Sequence, residues 1–107
     1  MIAIPSPVER FFSGKNTRDP AAAVSGFSAS AVVLDEGGRH EGPSAIRAWI
    51  ERTTAEYNDR IRAVHVETAA DVTEVVAEVS GTFPGSPAKL RFAFTLHDDL
   101  IDRLEIR

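Results

Sequence analysis

Apolar positions along this chain change their spacing near residue 60. Before it they recur at helical intervals. From Arg60 onward they alternate, in stretches at 60–69, 72–83, 88–97 and 100–107. The clearest stretch sets Leu90, Phe92, Phe94 and Leu96 against Arg91, Ala93, Thr95 and His97. That period of two belongs to strands with one buried face. Turn-forming residues separate the runs, including Ala70-Asp71 and Pro84-Gly85-Ser86-Pro87.

The first sixty residues divide into three helices and a strand. Ser6-Pro7-Val8-Glu9 reads as a helix start, with Ser6 as N-cap, Pro7 at the first helical position and Glu9 returning to a free backbone N–H. Val8, Phe11 and Phe12 then share one face, until Ser13-Gly14 and the polar run to Arg18 break the helix. Asp19-Pro20 starts a second helix through Ala21–Val24, ending near Gly26. Ala31-Val32-Val33-Leu34 predicts a short strand, stopped by the turn Asp35-Glu36-Gly37-Gly38. A third helix opens at Gly42-Pro43-Ser44. Ile46, Trp49, Ile50, Thr53 and Tyr57 fall at i, i+3, i+4, i+7 and i+11, which points Trp49 and Tyr57 inward.

Helices followed by a strand meander predict an α+β fold, with the helices against one face of a mostly antiparallel sheet. A length of 107 residues leaves room for one core, so residues 1–107 are expected to form a single domain. Composition agrees: 43% hydrophobic and 26% charged residues are the proportions of a chain that folds.

Charge and residue usage exclude several function classes. The net charge is -4 and the basic residues are scattered, so neither nucleic acid nor an anionic membrane is an expected partner. Cysteine is absent, which removes disulfides and thiolate chemistry. Met1 to Ser6 lack the basic and apolar regions of a leader, and no stretch has the length of a membrane span. A cytoplasmic protein is the expectation. His40, His65 and His97 are the only histidines, and none has a second ligand at metal-binding spacing, so no metal site is expected. His65 and His97 read as exposed strand residues. Glu78 groups with Glu74, Val76 and Ser80 on the more polar side of its strand, as an outward or ion-paired carboxylate.

Three local patterns carry a family resemblance. Ala31 to Gly38, followed by His40-Glu41-Gly42-Pro43-Ser44-Ala45-Ile46-Arg47-Ala48-Trp49-Ile50, looks like a strand, turn and "G-x-x-A-I-x-x-W" helix entry. Val79 to Pro87 with Leu90-Arg91-Phe92-Ala93-Phe94 looks like a strand-loop-strand. Asp98-Asp99-Leu100-Ile101 leads into a closing strand over Ile101 to Ile106. With the order of elements, these resemble the NTF2-like superfamily and its SnoaL-like branch of polyketide cyclases and ketosteroid isomerases.

The resemblance implies a cystatin-like cone, in which three N-terminal helices pack into the concave face of a curved sheet around a small apolar pocket. It further implies a homodimer formed through the sheet, with Val64, Val66, Val75 and Leu104 as contributors, and no cofactor. Asp35 stands where the steroid isomerases carry their base, and a partly buried carboxylate there can take a proton from the carbon beside a carbonyl. Their oxyanion-donating Tyr and second Asp are absent: the first helix has Phe11 and Phe12, and the strand position reads Phe92.

His40 lies in the segment that skirts the resembled pocket and joins Asp35 as a catalytic candidate. Trp49, Tyr57, Phe12, Phe92 and Phe94 are the candidate substrate-binding residues. Two functions stay open. One is an isomerase, cyclase or dehydratase acting on a small apolar carbonyl compound, with Asp35 as general base. The other is a non-catalytic ligand-binding or interaction module, with Asp35 serving as a turn carboxylate ahead of Gly37-Gly38.

Overall fold

The alternating half of the chain forms the body of a six-stranded sheet, and the helical half covers one of its faces. In the computed structural model, which describes residues 4–107, the order is α1 (Ser6–Asn16), α2 (Pro20–Val24), β1 (Phe27–Asp35), β2 (Gly38–Glu41), α3 (Gly42–Tyr57), β3 (Arg60–Ala69), β4 (Val72–Ser80), β5 (Ala88–His97) and β6 (Leu100–Ile106). Met1 to Ala3, at the start of the segment read above for a leader, lie outside the described residues. The strands lie in the order β2-β1-β6-β5-β4-β3. Every neighbouring pair is antiparallel except β1 with β6, which runs parallel because the chain crosses from β1 through α3 and the meander before returning beside it.

Alternation explains which side is buried. Thr73, Val75, Ala77 and Val79 of β4, with Phe92 and Phe94 of β5, face the helices. Val8, Phe11 and Phe12 of α1, with Ile46, Trp49 and Ile50 of α3, meet them. Phe11 is the centre of this layer. Its ring lies 6.0 Å from Trp49 at 2° between planes and stands edge-on to Phe27 and Phe94 at 5.8 and 5.9 Å. Such geometries add to the free energy of plain burial.

Five expectations change in detail. Ser6 is not the N-cap of α1, because it is already helical and Pro5 precedes it as the cap, without a side-chain bond. The Glu9 N–H bonds to Pro5 O at 2.9 Å instead, and Ser6 Oγ accepts from Arg10. Strand β1 begins at Phe27, ahead of its apolar run, and β2 was not expected, since Gly38-Arg39-His40-Glu41 carries no apolar alternation. Its register against Val32–Asp35 comes from backbone pairing in a two-residue hairpin, where Glu36 and Gly37 take φ of 51° and 76°. Strand β4 stops at Ser80 rather than residue 83. Val75 and Leu104 are fully buried in the core and Val66 packs against it, so none of the three lies on the outer sheet face. A register shift between Ala63 and His65 turns Val66 inward beside Val75. Among the described residues, no helix is long and apolar enough to cross a membrane.

Candidate functional site

A cavity of about 230 Å³ remains between α1, α3 and the inner face of the sheet. Phe11, Trp49, Leu90 and Phe92 provide apolar walls, and Tyr57 and Phe83 stand together with rings edge-on at 5.8 Å. Five polar or charged side chains also line it: Lys15, Asp35, Glu36, Thr53 and Asp59.

Asp35 reaches the cavity through the period of β1, since Ala31, Val33 and Asp35 share the inward face. The hairpin then turns away, leaving Asp35 as the last strand residue. Trp49 Nε1, presented by α3, donates to Asp35 Oδ2 at 3.1 Å. Among the described residues this is the bond the carboxylate accepts, so the structure does not give it the role of a turn cap. Burial pushes the Asp35 carboxyl above its usual range. The Trp49 bond opposes that rise, as do the charges of His40 and Lys15, while Glu36 adds to it.

Lys15 is the residue the sequence reading passed over. It continues the stripe Val8, Phe11, Phe12 at i+7, and the helix therefore carries its ammonium into the core, with 4% of the residue exposed. Its Nζ lies 3.2 Å from each of Asp59 Oδ2, Thr53 Oγ1 and Thr54 Oγ1. Three acceptors thus meet the three donors of an ammonium. The Trp49 ring lies 5.9 Å away. Burial lowers the Lys15 pKa, and its pairing with Asp59 works against that change.

Asp59 is held by its backbone as well as by the ion pair to Lys15. Asn58 ends α3 in the left-handed conformation, φ 48° and ψ 45°, and delivers Asp59 to the interior at the start of β3. Arg18 Nη1 donates to Asp59 O at 2.6 Å. Asn16 exchanges two bonds of 2.8 Å with the backbone of Ile61. Asn16 at the end of α1 and Arg18 just beyond it therefore fix the backbone at Asp59 and at Ile61. Asp59 Oδ2 takes the Lys15 ion pair, whereas the buried Oδ1 has no hydrogen-bond partner among the described residues.

The remaining candidates separate. Tyr57 lines the cavity, but its hydroxyl donates to Glu36 at 2.9 Å on the exposed rim, and the Glu36 bond, with the Glu56 carboxylate, raises its pKa. Phe92 lines the cavity. Phe12 and Phe94 pack against Phe92 and each other as core and do not line it. His40 is also outside the cavity wall, its ring 5.8 Å from Trp49 at 27° between planes. His65 and His97 are exposed beside Glu67 and Asp98, and Glu78 pairs with Arg62 at 3.3 Å. Among the described residues, no three His, Asp or Glu side chains converge in a way that would hold a metal ion.

Comparison with known proteins places this geometry among related folds. The SnoaL-like domain family matches residues 8–104. A Sinorhizobium meliloti protein, described provisionally as a polyketide cyclase, superposes with a TM-score of 0.94 at 36% identity, over 97% of this chain and 95% of that one. A Catenulispora acidiphila protein with a ketosteroid isomerase-like fold, solved with trimethylamine, gives 0.86 at 20% identity, over 98% and 86%. A cystatin-fold protein from Novosphingobium aromaticivorans gives 0.81 at 15% identity, over 100% and 99%. The α+β, NTF2-like and cystatin-like architecture is therefore shared widely. Among curated proteins none matches the chain.

Proposed function

The chain belongs to the SnoaL-like domain family, and on that premise we propose that it catalyses proton transfer on a small apolar carbonyl compound, with Asp35 as general base. The reaction class is isomerisation, cyclisation or dehydration begun by removal of a proton beside the carbonyl. The observation that carries this reading is the setting of Asp35: a strand-end carboxylate in the wall of an apolar cavity, with its pKa raised by burial and its orientation held by Trp49. A base whose pKa moves toward neutrality is matched to abstraction from carbon.

Size limits the substrate. An apolar cavity of roughly 150 Å³ holds a benzene-sized ring, so about 230 Å³ suits a single ring or a short branched chain. Lys15 contributes positive charge at the same cavity, which favours an enolate as it forms. The test is exchange of the protons beside the carbonyl of cyclohexanone and of short linear ketones in heavy water, followed by NMR. Exchange faster than in buffer and lost in Asp35→Asn supports the reading. Equal exchange in the two proteins, or none above buffer for any ketone, overturns it.

One observation favours a second reading, a non-catalytic carrier of small apolar molecules. Each donor in the cavity is already engaged: Lys15 by three acceptors, Trp49 by Asp35, Tyr57 by Glu36 and Thr53 by Trp49 O. Binding of these ketones without exchange selects it.

A further inference from the structure

We propose that Asp59 forms a recognition subsite that accepts a hydrogen bond from a neutral donor on the ligand, a hydroxyl above all. The inference rests on the cavity being the substrate site, and it names the polar group which that substrate carries.

Asp59 is 6% exposed, yet among the described residues one of its two oxygens finds a partner and the other does not. Oδ2 faces Lys15 Nζ at 3.2 Å, and Oδ1 is buried without a partner while the residue lines the cavity. A carboxylate oxygen left without a donor in the interior carries the full cost of lost hydration, so the site gains whenever a donor arrives. Among the described residues no protein group supplies one. The Lys15 donors are spent on Asp59 Oδ2, Thr53 and Thr54, and the Thr53 hydroxyl donates to Trp49 O at 2.8 Å. The backbone around Asp59 is fixed by Arg18 and Asn16, which keeps the residue in the cavity wall, and a small turn of its side chain presents Oδ1 to a donor there.

Charge selects among donors. An ionised carboxylate offers acceptors only, which excludes a carbonyl or ether at this point. An ammonium would bring a second cation beside Lys15, and an anion would meet Asp35, Glu36 and Asp59 together. A neutral hydroxyl meets neither objection, and Phe11, Trp49, Leu90 and Phe92 receive the apolar remainder. The ligand is thus a small apolar alcohol or phenol, or a carbonyl compound that also bears a hydroxyl.

Asp59→Asn supplies a test in which the sign of the preference changes. The cation Lys15 keeps the amide oxygen, which turns the amide NH₂ toward the position of Oδ1. Affinities of the wild-type protein and of Asp59→Asn for cyclohexanol and cyclohexanone are measured by calorimetry, with folding of the variant checked by circular dichroism. The wild-type protein should prefer the alcohol by about tenfold, the effect of one hydrogen bond to a charged group. Asp59→Asn should prefer the ketone.

Equal binding of the two compounds by the wild-type protein overturns the proposal, and shows that water satisfies Oδ1. Retention of the alcohol preference in a folded Asp59→Asn overturns it as well. If the variant does not fold, the wild-type comparison alone decides. Proton exchange that depends on Asp35, with no alcohol preference, removes this subsite and leaves the proposed reaction standing. Alcohol preference without exchange does the reverse.

Discussion

Trp49 Nε1 donates to Asp35 Oδ2 at 3.1 Å, tying the buried face of α3 to the last residue of β1. The bond orients the carboxylate toward the cavity and favours its ionised form, in opposition to the burial that raises its pKa. Two requirements of a general base, fixed direction and tuned basicity, thus meet in one contact.

Removing this bond should move the titration of Asp35. In Trp49→Phe the donor is lost while an aromatic ring remains, so the Asp35 carboxyl should titrate at higher pH than in the wild-type protein. Carbon-detected NMR of the carboxyl group measures it. An unchanged midpoint would show that the bond carries no energetic weight.

Asp35 should cost stability where it is ionised. Its folded-state pKa lies above the unfolded one, so the native state binds the proton more tightly. The stability it contributes is present below the ordinary carboxylate range and is lost as pH rises through the raised value. Asp35→Asn should therefore raise Tm by a few degrees at about pH 8 and leave it nearly unchanged at about pH 3, below both values. Thermal unfolding followed at both pH values checks this, and an equal difference at both would contradict the sign.

The buried ion pair should behave as a unit. Lys15→Met leaves Asp59 charged, buried and unpaired, with an expected loss of about 3–5 kcal/mol. Adding Asp59→Leu replaces the pair by apolar groups and should recover most of that loss. Urea unfolding of the two single variants and the double variant gives the coupling. Additive losses would mean that the pair contributes nothing beyond its parts.

Close approach of the first two helices depends on Gly14. A Cβ placed there would lie 2.4 Å from the backbone nitrogen of Ala23. Alanine gains helix propensity of up to about 1 kcal/mol. The displaced backbone outweighs this gain, and Gly14→Ala should destabilise by about 1–3 kcal/mol, read as a lower Tm. A higher Tm would show that α2 shifts aside freely.

The elements were legible where a single period ran uninterrupted. Ile46, Trp49, Ile50 and Thr53 predict the buried face of α3, and Leu90, Phe92 and Phe94 that of β5, because burial of one face imposes its own repeat on the residues. The same reasoning failed at β2, whose polar residues owe their conformation to pairing with β1. It failed again at Val66, where a bulge changes which side chains point inward. Asp35 was visible at the end of an apolar strand. Lys15 could have been found as well, as the one charge on the stripe of Val8, Phe11 and Phe12.

Sequence by itself determined the helical and alternating halves, the inward direction of Trp49 and the strand-end position of Asp35, since each follows from local spacing. Tertiary structure alone decided that Tyr57 turns its hydroxyl to Glu36, that Phe12 and Phe94 fill core rather than cavity, and that Lys15 meets Asp59. Those outcomes join residues far apart in the chain, Lys15 to Asp59 across 44 positions and Phe12 to Phe94 across 82. No local repeat records which distant side chain will lie opposite, because that depends on how the helices seat against the finished sheet.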